Sequence, residues 1–184
     1  MKGYTRENPM FSLCGLNCGL CPMHLGGYCP GCGGGEGHQG CAVIRCSREH
    51  GGVEYCHQCG AFPCGRYGAL MEFDSFVPHR HMVKDQERAR EMGAAAYRAE
   101  LDAKMEILQE LLAGYNDGRR KSFYCTAVSL LALEDLQAMM DRLRTASGPD
   151  EPVKARTALA VQSLNDLGAA RGVELKLRKK PKKE

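Results

Sequence analysis

The sequence predicts an α+β fold: a small cysteine-rich N-terminal part packed on a C-terminal helical part that carries one late β-strand. Three observations lead there. Of eleven Cys, ten fall between Cys14 and Cys64, in a stretch rich in Gly. Apolar residues between about 85 and 145 recur at helical spacing. Near the end, Val173, Leu175 and Leu177 alternate with Glu174, Lys176 and Arg178, the period of a strand. The chain then divides into a cysteine-rich region 1–70, a linker 71–84, a helical region 85–178 ending in the strand, and a basic tail 179–184.

The first region has too little apolar mass to fold by burial. Ordering Gly costs more backbone entropy than ordering any other residue, and Gly31 to Gly40 (GCGGGEGHQG) offers almost nothing to bury. Such a stretch needs an external clamp. The helical region begins with Asp85 as a plausible N-cap. The stripe Ala94, Tyr97, Leu101, Met105, Leu108, Leu112 and Tyr115 then predicts a helix that stops at Gly114–Gly118. A second helix begins near Ser122, with Phe123, Ala127, Leu130 and Leu131 on one face. The set Leu133, Leu136, Met140 and Leu143 is out of phase with it and predicts a break near Ala132. After Gly148-Pro149, Asp150-Glu151-Pro152 starts a third helix that runs to about Ala170 and stops at Gly172. The late strand, about Val173–Leu177, needs a backbone partner and is expected to join a small sheet with the cysteine region. No internal repeat is longer than the Cys doublets.

Clustered Cys mean disulfides, metal or redox chemistry. The first ten residues (MKGYTRENPM) are polar, and no stretch approaches the run of apolar residues that spans a bilayer, so the chain reads as cytoplasmic. Thiols there stay reduced, and an odd Cys count suits a disulfide framework poorly. Metal is the reading that remains. The doublets Cys18-x2-Cys21, Cys29-x2-Cys32 and Cys56-x2-Cys59 each present two thiolates to one ion, with Cys14, Cys41, Cys46 and Cys64 around them. All ten are candidate ligands. Two four-thiolate centres consume eight, so two zinc ions are expected. One division pairs Cys18/Cys21 with Cys29/Cys32, and Cys41/Cys46 with Cys56/Cys59. A cross-braced division, Cys29/Cys32 with Cys56/Cys59, is equally allowed. His24, His38, His50 and His57 lie in the same zone, but thiolates are already in surplus, and solvated loops account for them.

Iron–sulfur clusters take the same soft ligands and are the alternative cofactor. Cys14-x3-Cys18-x2-Cys21 has the spacing used by radical S-adenosylmethionine enzymes. The strand–helix alternation that such enzymes need does not follow it. Cys21-Pro22 and Cys29-Pro30 fit a ferredoxin-like cluster loosely, without its C-x2-C-x2-C run. No doublet is followed by His, which excludes covalent haem.

Cys14-Gly-Leu-Asn-Cys18-Gly-Leu-Cys21-Pro22, Cys29-Pro30-Gly31-Cys32 and Glu54-Tyr55-Cys56-x2-Cys59-x2-Phe62-Pro63-Cys64 together resemble domain of unknown function 3795, a cysteine-rich family of bacterial and archaeal proteins. The resemblance covers residues 11 to 70 and continues through Gly118-Arg119-Arg120-Lys121-Ser122-Phe123-Tyr124-Cys125. It implies zinc or other metal binding and attaches no activity.

Cys125 stands apart, in the first turn of the helix expected from Ser122, behind Arg119, Arg120 and Lys121. A helix N-terminus and nearby cations favour thiolate, which makes Cys125 a candidate nucleophile, redox thiol or further ligand. The competing reading is a small buried residue on an apolar face. No His/Asp partner is identifiable, and His79 and His81 read as loop residues. Arg119–Lys121 could hold an anion, with solvated charge as the default. The net charge of +3 conceals a basic end: residues 171–184 carry +5. Without aromatic residues interleaved, that run argues against nucleic-acid binding. The expected protein is therefore a metal-binding interaction module with an unidentified protein partner, or a redox protein or enzyme using the Cys14–Cys18–Cys21 triplet or Cys125.

Overall fold

The computed structural model describes residues 3–36, 41–148 and 150–181. The described residues form eight α-helices: α1 Pro22–Leu25, α2 Ala42–Glu49, α3 Arg66–Glu72, α4 Met82–Met92, α5 Ala94–Gly114, α6 Lys121–Leu130, α7 Leu133–Ala146 and α8 Val153–Ala170. Two 3-10 turns, Cys18–Leu20 and Cys56–Gln58, lie in the cysteine region. The chain forms two compact units, one of Met1–Leu101 with Leu177–Glu184 and one of Asp102–Lys176. Their boundary falls inside α5 and not in the stretch 71–84, which holds the end of α3 and the start of α4.

The expected α+β class is corrected: the chain is mostly helical. The described residues contain no sheet, only the isolated bridges Thr5–Gly34 and Phe11–Asn17. The expected late strand at Val173–Leu177 does not form. The Val173 amide donates to the Gly168 carbonyl (2.8 Å), closing the end of α8. The Arg178 amide donates to the Asp74 carboxylate (2.7 Å). One backbone bond, Asp74 N–H to the Arg178 carbonyl (2.8 Å), is too little for a ladder. The alternation is nonetheless real in burial: Val173, Leu175 and Leu177 are half-buried, while Glu174, Lys176 and Arg178 are exposed.

In the unit of residues 102–176 the helices follow their apolar periodicity. Leu108, Leu111, Leu136, Met140, Ala160 and Leu164 are fully buried. Every residue of α6 from Tyr124 to Leu130 is buried, so this helix is enclosed on all sides. The break expected near Ala132 is present, with Ala132 extended between α6 and α7. α8 buries Thr157, Ala160, Leu164 and Gly168, a narrow stripe of mostly small residues, and α7 packs on α8.

The first unit is built differently. The helix expected from Asp85 onward is two helices, because Gly93 adopts φ +87° between α4 and α5. That conformation is cheap only for Gly. Asp85 lies in the first turn of α4 and receives the Asn17 amide (2.9 Å). Gly15, also at positive φ, lies directly on the start of α4. A Cβ there would fall 2.4 Å from the Met82 carbonyl oxygen. The basic end is tied down in part. Arg178 donates to the Met71 carbonyl (2.6 Å) and Lys179 to the Ser75 carbonyl (3.2 Å). Residues 182–184 of the expected tail lie outside the described residues.

Candidate metal centre

The loops that carry the thiols are shaped by short backbone bonds. In Cys18-x2-Cys21 the Cys21 amide donates to the Cys18 carbonyl (3.1 Å); in Cys56-x2-Cys59 the Cys59 amide donates to the Cys56 carbonyl (3.0 Å). The two doublets therefore share one backbone turn, a 3-10 turn closed at its second Cys. The third doublet is anchored otherwise, with the Cys32 amide on the Pro9 carbonyl (2.9 Å). All eleven Cys are free thiols.

The thiols sort into two neighbouring groups. Cys18 lies within electrostatic reach of Cys14, Cys21 and Cys32, and Cys32 within reach of Cys41. Cys14, Cys18 and Cys32 pack with Leu13, Val43 and Ile44, and Cys56 of the second group joins the same apolar cluster. Cys56 lies within reach of Cys46, Cys59 and Cys64, and these four thiols line one cavity of about 440 Å³. Helix α2 serves both groups. Cys41 caps its N-terminus, its sulfur accepting the Ile44 amide (3.4 Å), while Cys46 lies on the cavity side. Cys46 borders the cavity and Cys41 lies towards Cys32. Cys64 joins Cys46, Cys56 and Cys59 at the cavity. Cys29 is half-buried and its carbonyl faces His24 Nδ1 (3.0 Å). Among the described residues, no three His, Cys, Asp or Glu side chains close on a single point at ion-binding distance.

Burial dominates the chemistry of the first group. It pushes the Cys14 thiol up to about 12 and raises Cys18 further. Cys32 is raised by burial too, against the opposing pull of the Leu13 backbone and Arg6. Cys56 is pushed up to about 11, again by burial. Buried thiols of this kind keep their protons until a cation replaces them, so ion uptake here would release protons. The donor set suits soft-ligand ions. Arg6 supports that fit. Its side chain is 1% exposed, its Nε has no hydrogen-bond partner, and its charge stands beside Cys32. A four-thiolate zinc centre is a net anion, and a buried guanidinium offsets part of that charge.

Three polar residues that no Cys pattern points to hold these loops. Arg6 donates to the carbonyls of Phe11 (2.8 Å) and Glu54 (2.7 Å), pairs with the Glu54 carboxylate (3.0 Å), and lies over the Tyr55 ring. Gln86, fully buried in α4, donates to the Leu13 carbonyl (3.0 Å). Its Oε1 accepts from the His57 amide (3.0 Å) and faces His57 Nδ1 (2.8 Å). It therefore joins the Cys14 loop to the Cys56 turn. Asn17 bridges Asp85 in α4 and the Tyr97 hydroxyl in α5 (3.1 Å). Their signal in the sequence is faint: single polar residues near apolar ones.

The remaining candidates are placed as follows. Burial lowers the His57 pKa, consistent with a neutral ring on Gln86. His50 Nδ1 faces the Cys46 carbonyl (2.8 Å). His79 contacts the Leu70 carbonyl (2.7 Å) and Ser75 (2.8 Å). His38 lies outside the described residues. Cys125 is 0% exposed in the second turn of α6, beyond the reach of the helix terminus and closed to a substrate. No helix among the described residues is long and apolar enough to cross a membrane. No family model, no curated protein and no solved structure matches the chain.

Proposed function

We propose that the first unit is a metal-nucleated thiolate module, and that the chain acts in the cytoplasm as an interaction module whose partner is a protein. The observation that carries this reading is the convergence of thiols from separate segments. Cys46 comes from α2, Cys56 and Cys59 from a 3-10 turn, and Cys64 from the approach to α3, and all four line one space. The buried first group, with Cys14, Cys18, Cys21 and Cys32, offers the donor set of a structural zinc centre. The motifs that resemble domain of unknown function 3795 point the same way.

The bound ion would cross-link the loops around the apolar cluster of Leu13, Val43 and Ile44. The chain's own residues do the rest: Arg6 balances charge, and Gln86 and Asn17 hold the loops on α4 and α5. Purification of the full chain without oxygen from zinc- and iron-replete cells, followed by elemental analysis, tests the reading. About one metal centre per thiol group, lost when Cys18 or Cys59 is replaced, is expected. A chain that folds fully with neither zinc nor iron bound sinks the proposal.

A further inference from the structure

The room beside Cys46, Cys56, Cys59 and Cys64 bears on what these thiols hold. In a four-thiolate zinc centre each sulfur lies about 2.3 Å from the ion, so the sulfurs nearly touch and no void remains. Cys46, Cys56, Cys59 and Cys64 instead border a cavity of about 440 Å³. They face a shared space, arriving from α2, from the turn at Cys56 and from the approach to α3. Most of the lining is apolar, from Val43, Val53, Phe62 and Leu70, with Arg66 the one arginine on the wall.

We infer that this second group is the site of an iron–sulfur cluster. A cubane cluster binds each thiolate through a different iron atom, which requires sulfurs set apart around a bulky body. It also favours apolar walls, which limit water access and set the potential. Four Cys from three segments meet the ligand count. Arg66 brings a positive charge towards what would be a net anion. The inference rests on the metal reading above and deepens it: zinc in the buried group, a cluster in the cavity.

The test is anaerobic reconstitution of the full chain, stripped of metal, with zinc, ferrous iron and sulfide. Readouts are iron, labile sulfide and zinc per chain, with absorption near about 400 nm. The expected product carries iron and sulfide in equal amounts, about four each for a cubane cluster, and about one zinc. Cys59→Ala and Cys46→Ala should each lose most of the band and the sulfide while keeping the zinc. Cys18→Ala should lose the zinc and keep the band. Helicity measured alongside separates ligand loss from misfolding, and two cavity variants guard against one that fails to fold. Two zinc and no labile sulfide overturn the cluster and leave the metal reading intact. A band that survives Cys59→Ala and Cys46→Ala but not Cys18→Ala also overturns it. A chain that takes up no metal at all overturns both readings.

Discussion

Residues 102–176 and the cysteine unit solve the same problem with different materials. The former buries Leu, Met and Ala along regular helices. The latter also turns buried polar side chains, Arg6, Asn8 and Gln86, onto the carbonyls and amides of its loops, and Asn17 onto side chains of α4 and α5. A backbone rich in Gly leaves many polar groups unpaired, and each costs about 1–3 kcal/mol if buried alone. Side chains with several donors satisfy them most economically. The contrast teaches that the cysteine unit adds directional bonds to an apolar core that includes Phe11, Leu13, Leu20 and Ile44, whereas its counterpart relies mainly on volume.

The largest test of that contrast is removal of metal. Chelation should abolish amide protection across residues 11–72 while α6, α7 and α8 keep theirs, as read by hydrogen exchange. Uniform loss, or none, breaks the comparison. Next come single substitutions. Arg6→Ala strips a buried cation from Glu54 and two carbonyls and should cost about 3–5 kcal/mol, lowering metal retention with it. Leu136→Ala leaves a cavity in the helical unit, costs about 2–5 kcal/mol and should leave metal content unchanged. Denaturation followed by both helicity and metal release distinguishes the two. The smallest effect belongs to Asp74. Burial raises its carboxyl, but amide bonds from His79 and Arg178 and the Arg178 charge outweigh that, so its pKa lies below the usual value. A depressed carboxyl stabilises the fold above its ordinary pKa, and the contribution is lost as pH falls through the lower folded value. Below about pH 4 the Arg178 amide should therefore exchange faster. Asp74→Asn should give the same acceleration at neutral pH by about 1 kcal/mol.

Helices were legible wherever burial wrote them in the pattern: the break at Ala132 and the stop at Gly172 both follow from phase and composition. The break at Gly93 was hidden, because Ala94-Ala95-Ala96 continues the helical signal and only backbone dihedrals reveal the turn. The alternation at Val173–Leu177 reports one side against protein and one towards solvent. It says nothing about a neighbouring strand, and none exists there. The ten thiols stand out by density as candidate ligands, but the sequence does not say which of them lie near one another. Cys41 is the extended N-cap of α2 while Cys46 lies inside the helix, so their directions depend on where α2 begins. Gln86 was invisible because its role depends on α4 crossing two loops distant in sequence.

One hydrogen atom in place of a side chain also does work. At Gly15 the chain runs so close to Met82 that a methyl group would act as a wedge, prising the segment between Cys14 and Cys18 away from α4. The Leu13 carbonyl would move with it, out of reach of Gln86. Bareness at that position is thus a condition for two distant thiol loops to share a single amide.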